Sequence, residues 1–285
     1  MQPLRPRPQT QPTVTVVIPA RNEARNLEEV LPRLPDVHEI VVVDGASVDD
    51  TIETVRRVKP SARIVGQTRR GKGNALACGF AEATGDIIVM FDADGSADPE
   101  EIQRFVHTLT EGADFAKGSR VMPGGGSQDL TIIRGLGNRS LTWFTNRLFR
   151  TRYSDLCYGY NAFWRDVLPS LVLPDPKPEG QVMRWGDGFE IETVLNCRVA
   201  VAGLRVREVP SVELSRIHGT SNLSAVRDGL RVLKTILTER QSARRHRAIA
   251  RAVMAAPKVI ISELVPAQRR ADLVHAGLVA DERAA

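Results

Sequence analysis

The sequence predicts an α/β fold with a mostly parallel central sheet flanked by helices. Three observations carry that prediction. Five short runs, four of them rich in β-branched residues, alternate with helical stretches between residues 14 and 118. Polar or acidic groups stand at the ends of those runs, at Pro19-Ala20, Asp44-Gly45, Gly66 and Asp92-Ala93-Asp94. Alternation at this spacing gives parallel strands joined by right-handed crossovers. The third observation is composition: 285 residues, 42% hydrophobic and 26% charged, describe an ordinary globular chain. Such a chain is long enough to bury a core, which excludes a disordered, collagenous or disulfide-stapled one.

Each element has a local reason. Residues 14–18 (Val-Thr-Val-Val-Ile) read as a buried strand that Pro19 ends. Asn22 and Glu23 open a helix through Leu34. Residues 39–43 give a second strand, and Asp49 and Asp50 cap a helix through Val58. Residues 63–65 form a third strand, and Gly71-Lys72-Gly73 leads into a helix over 74–83. Residues 86–91 form a fourth strand, Pro99 starts a helix through Leu109, and 115–118 is a short fifth strand. Gly124-Gly125-Gly126-Ser127 reads as a loop. Residues 131–150 form an amphipathic helix carrying Arg134, Arg139, Arg147 and Arg150, and 158–163 is an apolar, aromatic segment. A Pro-rich loop over 174–184 precedes a helix over 187–201 and a strand over 204–209. A polar turn, 215–222, then leads into a basic helix.

The net charge of +5 is unevenly spread. Residues 226–251 hold eight Lys and Arg against Asp228 and Glu239, so the rest of the chain is close to neutral. Residues 1–13, with four prolines, are expected to be a disordered leader. A folded domain is expected over 14–238, divided near residue 120, with a basic helical extension over 239–285. Cys78, Cys157 and Cys197 are scattered and include no CxxC pair, so they read as reduced packing residues. No apolar run approaches the roughly 18–20 residues that span a bilayer, and the start lacks a signal-peptide core. A cytoplasmic chain is expected, with at most peripheral contact on the inner membrane face. No nucleic-acid partner is expected.

In parallel α/β sheets ligands bind outside the carboxyl ends of the strands. Asp92 and Asp94 there can face one hard cation. Mg²⁺ or Mn²⁺ held by one or two carboxylates, with phosphate oxygens completing the shell, suits a diphosphate substrate. A solvated turn with an Asx cap is the other reading of the same residues. Residues 66–73 nearly match the P-loop pattern GxxxxGK[ST], between a strand and a helix. Gly73 stands where Ser or Thr would hold Mg²⁺, which tells against a true P-loop but keeps Lys72 well placed for phosphate. Arg216, His218, Thr220, Ser221 and Asn222 gather a cation, an imidazole and neutral donors in seven residues. Arg216 suits diphosphate oxygens, and His218 suits Mn²⁺ as a third ligand. A plain polar surface turn fits the segment equally well.

Four segments in order resemble the motifs of family 2 glycosyltransferases of the GT-A fold, most nearly the dolichol-phosphate mannose synthase-like branch. They are Val17-Ile18-Pro19-Ala20-Arg21-Asn22-Glu23, residues 42–51 around Asp44-Gly45, Gly71-Lys72-Gly73-Asn74-Ala75-Leu76, and Asp92-Ala93-Asp94. The resemblance runs from about Val14 to Thr238. It implies a nucleotide-diphospho-sugar transferase whose base and ribose pocket is lined by Pro19, Ala20, Asn22 and Glu23. Asp44 would contact the base with Lys72 beside it, Asp92 would sit near ribose and metal, and Asp94 would be the principal metal ligand. Asp155-Leu156-Cys157-Tyr158-Gly159-Tyr160 is similar to a segment beside the donor sugar. Residues 216–223 resemble the family's diphosphate-holding stretch, with Asn222 in place of a Lys. His218 and the Gly-Lys-Gly loop are similar to glucosyl-3-phosphoglycerate synthases, in which a Glu placed like Glu190 holds sugar hydroxyls.

The resemblance implies glycosyl transfer from a nucleotide-diphosphate sugar. UDP is expected over GDP because Asp44 and Lys72 suit a pyrimidine edge. Mn²⁺ or Mg²⁺ and Arg216 would neutralise the leaving diphosphate. Asp155, Asp187 or Glu190 would stabilise the sugar cation or orient the acceptor. The acceptor would be a small hydroxyl or phosphate compound or a lipid phosphate such as polyprenyl phosphate. Arg134 and Arg139 would bind it, or else form a solvated helix face. The basic helix fits an anionic membrane surface, a homodimer contact, or a packed helix with a charged outer side. Two competing classes are a P-loop-like ATP-dependent enzyme and a nucleotide-sugar-binding protein without turnover.

Overall fold

The computed structural model describes residues 11–177, 180, 182–219 and 225–255. Most of the expected leader therefore lies outside the described residues, as do residues 220–224 and 256–285. Thr13 already belongs to the fold. Its hydroxyl donates to Asp86 Oδ2 (2.7 Å) and its carbonyl accepts from the Ile87 N–H (3.0 Å).

The first half alternates as the sequence predicts: β1 (Val14–Ala20), α1 (Ala24–Val30), β2 (Glu39–Asp44), α2 (Thr51–Val58), β3 (Arg63–Gly66), α3 (Lys72–Glu82), β4 (Ile87–Met90), α4 (Ile102–Thr110) and β5 (Phe115–Ser119). The second half adds β6 (Gly126–Ser127), α5 (Ile132–Phe149), β7 (Asn161–Trp164), α6 (Leu168–Leu171), α7 (Ile191–Ala202), β8 (Val206–Pro210), β9 (Val212–Glu213) and α8 (Ala225–Ala255). Seven strands form one sheet in the order β3-β2-β1-β4-β7-β5-β8. β1 to β4 run parallel, and β7 lies antiparallel between β4 and β5. Val16–Ile18, Val41–Val43 and Ile87–Val89 are fully or almost fully buried, as expected for strands covered on both faces.

Three segments differ from the sequence reading. The apolar stretch 158–163 supplies β7, whose four residues are all buried. Two of the residues read as a glycine loop, Gly126 and Ser127, pair with β9 as a two-stranded ribbon. The helix expected from residue 187 starts at Ile191, because the preceding backbone is committed elsewhere. The Gly188 and Asp187 carbonyls accept the Gly73 and Asn74 N–H groups at the start of α3 (3.2 and 3.0 Å).

α8 runs unbroken across residues 238 and 239. It is seated by Ile236, Thr235, Ala243 and Ala250, all buried. Buried Glu239 accepts from Arg198 Nε and Nη2 (both 3.0 Å) and from the Trp185 indole N–H (2.8 Å). α8 thus combines a packed side with a charged outer one.

Candidate active site

The site is built where β1, β2 and β4 end. Asn22 takes a left-handed conformation (φ 56°) just past β1. Its side-chain Oδ1 accepts the Val48 N–H, and its backbone N–H donates to Ser47 Oγ (both 2.9 Å). The Glu23 N–H donates to Thr51 Oγ1 (3.0 Å). These bonds stitch the turn after β1 to the turn after β2. Ala20 and Asp44 are buried beneath that seam, and the Asp44 carboxylate accepts the Ser47 N–H (3.3 Å).

Two groups of charges face the rim. In the first, Lys72 Nζ sits 2.7 Å from Asp92 Oδ1 and 2.8 Å from Glu192 Oε1. Burial alone would lower the Lys72 pKa, but these carboxylates hold it well above the usual lysine range. Burial raises the Asp92 pKa, with the neighbouring Asp94 and Glu192 charges adding to the rise against Lys72. In the second, Arg216 reaches Glu23 Oε1 (2.7 Å) and Asp94 Oδ2 (3.4 Å). Burial opposes ionisation of Asp94. The Ser96 hydroxyl and N–H (2.7 and 3.0 Å), with Arg216, outweigh it and leave its pKa lowered. The segment carrying Arg216 is laid along this turn by the backbone: Leu214 N–H donates to Ser96 O and Ile217 N–H to Asp94 O (2.8 and 3.1 Å).

The sequence-nominated residues thus divide. Pro19, Ala20, Asn22, Glu23, Asp44, Lys72, Asp92, Asp94 and Arg216 gather at one rim. His218 is not brought to the aspartates. Its Nε2 meets Glu29 Oε1 (2.8 Å), and its N–H donates to Asn26 (2.8 Å), while Arg216 takes the place beside Asp94. Asp187 is fully buried, and Arg69 grips both its oxygens (2.7 and 3.0 Å). Asp155 is fully buried too. Arg120 (2.7 and 3.0 Å) and Asn138 (2.9 Å) occupy it, and these partners overcome burial to hold its carboxyl down at about 2. Glu190 turns back to accept the Gly186 and Gly188 N–H groups (3.1 and 3.2 Å). Arg134 pairs with Asp129 (3.1 Å), and Arg139 is exposed on α5. Thr220, Ser221 and Asn222 lie outside the described residues.

Sequence reasoning missed Glu192, Arg120 and Arg69. Glu192 stands two residues after Glu190, in the first turn of α7, and it joins Asp92 in facing Lys72. A signal for Arg120 was present in the sequence, since it follows β5 directly and therefore sits at the rim.

The near-match to a P-loop has another cause. A phosphate loop needs free N–H groups at the helix start. Here those of Gly73 and Asn74 are spent on the 187–188 carbonyls. A Cβ at Gly73 would fall inside the contact radius of the Gly186 carbonyl oxygen. At Gly71 (φ 114°) it would collide with the Asp187 carbonyl. These glycines allow two backbones to touch.

The fold thus brings paired carboxylates and two fixed cations to the carboxyl rim of a mostly parallel sheet, the edge at which α/β sheets bind ligands. Residues 15–171 match the sequence profile of Glycosyl transferase family 2. The chain is 30% identical over 221 residues to the undecaprenyl-phosphate mannosyltransferase of Micrococcus luteus, covering 74% of this chain and 87% of that one. It is 32% identical over 221 residues to the polyprenol monophosphomannose synthase of Mycolicibacterium smegmatis, covering 73% and 80%. Among solved structures it superposes on glucosyl-3-phosphoglycerate synthase from Mycobacterium tuberculosis, in complex with Mn²⁺, UDP and glucosyl-3-phosphoglycerate. The TM-score is 0.62 at 24% identity, with 80% of each chain covered, a likeness of fold. The chain belongs to glycosyltransferase family 2 and has the GT-A architecture.

Proposed function

We propose that this enzyme transfers a hexosyl group, mannose by analogy with its relatives, from a nucleotide-diphosphate sugar to a polyprenyl phosphate. The observation that carries the donor half is the charge arrangement at the rim. Four carboxylates (Glu23, Asp92, Asp94, Glu192) face two fixed cations (Lys72, Arg216). Two negative charges are left in surplus, the amount a divalent cation offsets before an anionic diphosphate can approach. Among the described residues no three Asp, Glu, His or Cys side chains converge as a closed metal cage. A hard cation completed by substrate oxygens needs only one or two carboxylates, so the donor set fits Mg²⁺ or Mn²⁺. Asp94, with Asp92 beside it, would hold the ion, which would supply charge stabilisation to the departing diphosphate. Arg216 would exchange Asp94 for a diphosphate oxygen, and Lys72 would hold Asp92 ionised and in place.

The acceptor half rests on which carboxylates are free. A hydroxyl acceptor needs a general base, whereas a phosphate is ionised near neutrality and does not. Asp155 and Asp187 are neutralised by Arg120 and Arg69, and Glu190 is spent on its own loop. Glu192 is paired with Lys72 and suits a contact to sugar hydroxyls. This supports a phosphate nucleophile, in keeping with the names of the relatives. Arg134, at the start of α5, is the candidate to meet it, whereas Arg139 lies on the outward side of that helix. The expectation of UDP over GDP rested on Lys72 standing beside Asp44. Lys72 is instead committed to Asp92 and Glu192, so the proposal commits to the diphosphate and sugar.

A thermal-shift panel of UDP, GDP, ADP and their sugar conjugates, with and without Mn²⁺, tests this on the wild type and Asp94→Ala. A ligand at 100 times its Kd stabilises by about 2.7 kcal/mol. A metal-dependent shift with one nucleotide sugar, lost in Asp94→Ala, is expected and names the base. A shift with adenine nucleotides alone would overturn the reading.

A further inference from the structure

α5 presents an outward side rich in exposed large apolar residues. Ile132, Ile133, Leu136 and Trp143 are 83, 72, 61 and 67% exposed. With 3.6 residues per turn, Ile132, Leu136, Arg139, Trp143 and Arg147 recur at spacings of 4, 7, 11 and 15 and form one stripe. The opposite side buries Asn138, Thr142 and Thr145, and Leu141, Phe144 and Leu148 pack with Val232 and Ile236 of α8. The stripe is therefore not a misplaced core side. α5 contains no acidic residue, and Arg139 and Arg147 form no ion pair among the described residues.

We propose that this stripe docks the enzyme on an anionic lipid surface. Large apolar side chains with an interfacial Trp and unpaired arginines suit the boundary between headgroups and acyl chains. Each arginine near such a surface adds about 1 kcal/mol of attraction. The charge pattern also argues against a second copy as the occupant. A two-fold pairing of this stripe with itself would set arginine beside arginine with no carboxylate on the helix to balance them. No helix among the described residues is long and apolar enough to cross a membrane, so surface docking is the contact these residues can make. The inner side of the same helix meets the carboxyl end of β5, where Asn138 donates to buried Asp155, the partner of Arg120. Docking through α5 would therefore set the site's mouth beside the bilayer that holds a lipid phosphate. The purpose of the surface rests on the acceptor reading above, but its existence is tested separately.

The test is co-sedimentation of the full chain with vesicles free of polyprenyl phosphate. One set is pure phosphatidylcholine and the other about one-third phosphatidylglycerol. Wild type is expected to bind the anionic vesicles at least ~10-fold better than the neutral ones. The triple variant Ile132→Gln, Leu136→Gln, Trp143→Gln is expected to lose ~10-fold or more of that binding, with nucleotide-sugar affinity and melting temperature unchanged. Should the triple variant fold poorly, brominated lipid is expected to quench wild-type tryptophan emission more strongly than that of Trp143→Phe. Wild type that ignores anionic vesicles would overturn the proposal. So would a triple variant that binds like wild type, which would shift the contact to exposed Leu230 and Leu237 of α8. A dimer in sedimentation equilibrium that the triple variant dissociates would assign the stripe to a second copy. Transfer to a short, detergent-soluble polyprenyl phosphate without vesicle binding would remove the docking surface and keep the function. Vesicle binding without transfer would do the reverse.

Discussion

Replacing Arg69 by Met would separate two roles for Asp187, a carboxylate that lies close to the site yet does not face it. Arg69 donates from Nε and Nη2 to Asp187 (2.7 and 3.0 Å), from Nη1 to Pro176 O (2.8 Å) and from Nη2 to Asp175 O (3.0 Å). The side chains of the pair are 2% and 0% exposed. Removing one partner of such a pair strands a buried charge and costs about 3–5 kcal/mol. A domain is stable by about 5–15 kcal/mol, so the variant should lose a large part of its stability. The assay is urea unfolding followed by circular dichroism, on Arg69→Met, Asp187→Leu and the double variant. The double variant should be more stable than the sum of the single losses by about 1–3 kcal/mol, since no charge is then stranded. Asp187→Asn should lose stability, and its turnover should fall only as its folded fraction falls. A cost below about 1 kcal/mol for Arg69→Met would refute the structural role. So would an Asp187→Asn protein of undiminished stability whose turnover had fallen ~100-fold, a loss of the size typical of a missing acid–base group.

Gly73→Ala should destabilise the protein. The helix-propensity gain of about 1 kcal/mol is outweighed by an overpacking cost of about 1–3 kcal/mol or more against the Gly186 carbonyl, read as a fall in melting temperature. Asp155, held at about 2 against an unfolded value near 4, should contribute about 2 kcal/mol above pH 4. A depressed carboxylate pKa means this contribution is lost as pH falls from about 4 to 2, so unfolding midpoints of wild type should drop more steeply there than those of Asp155→Asn. Lys72→Met should leave Asp92 and Glu192 as unbalanced neighbours and weaken nucleotide-sugar binding at least ~10-fold by calorimetry, at low and moderate salt alike. Glu192→Gln should impair transfer more than Glu190→Gln, whose main effect should be a lower melting temperature.

Much of the fold was legible because its signals are local. Val14–Ala20 and Glu39–Asp44 are β-branched runs, Pro99 opens a helical turn, and Asp92–Asp94 follows five buried apolar residues. β7 was less legible. Its residues Asn161 to Trp164 mix a polar amide with aromatics, and its antiparallel place between β4 and β5 depends on chain reversal rather than on pattern. The glycines of 71–73 misled for a physical reason. Close approach to a phosphate and close approach to another backbone demand the same missing Cβ, and only the partner differs.

The roles of the carboxylates were illegible for a related reason. Whether Asp155 or Asp187 can act as a base depends on what neutralises it, and those partners lie far away in sequence. Arg120 precedes Asp155 by 35 positions, and Arg69 precedes Asp187 by 118. Local reading offered three carboxylates for the reacting centre, and folding spends all three on arginines or backbone N–H groups. Those left at the rim, Glu23, Asp92, Asp94 and Glu192, are each paired with a cation that a diphosphate could share. Under the proposed function, a site arranged this way would stabilise a leaving diphosphate well and deprotonate a hydroxyl poorly. An acceptor that arrives already ionised resolves that asymmetry. Polyprenyl phosphate should therefore react with a rate nearly flat from pH 7 to 9, above the second ionisation of a phosphate monoester near 6. A rate that instead climbs ~10-fold per pH unit across that range would show that a base is limiting and that the acceptor is a hydroxyl.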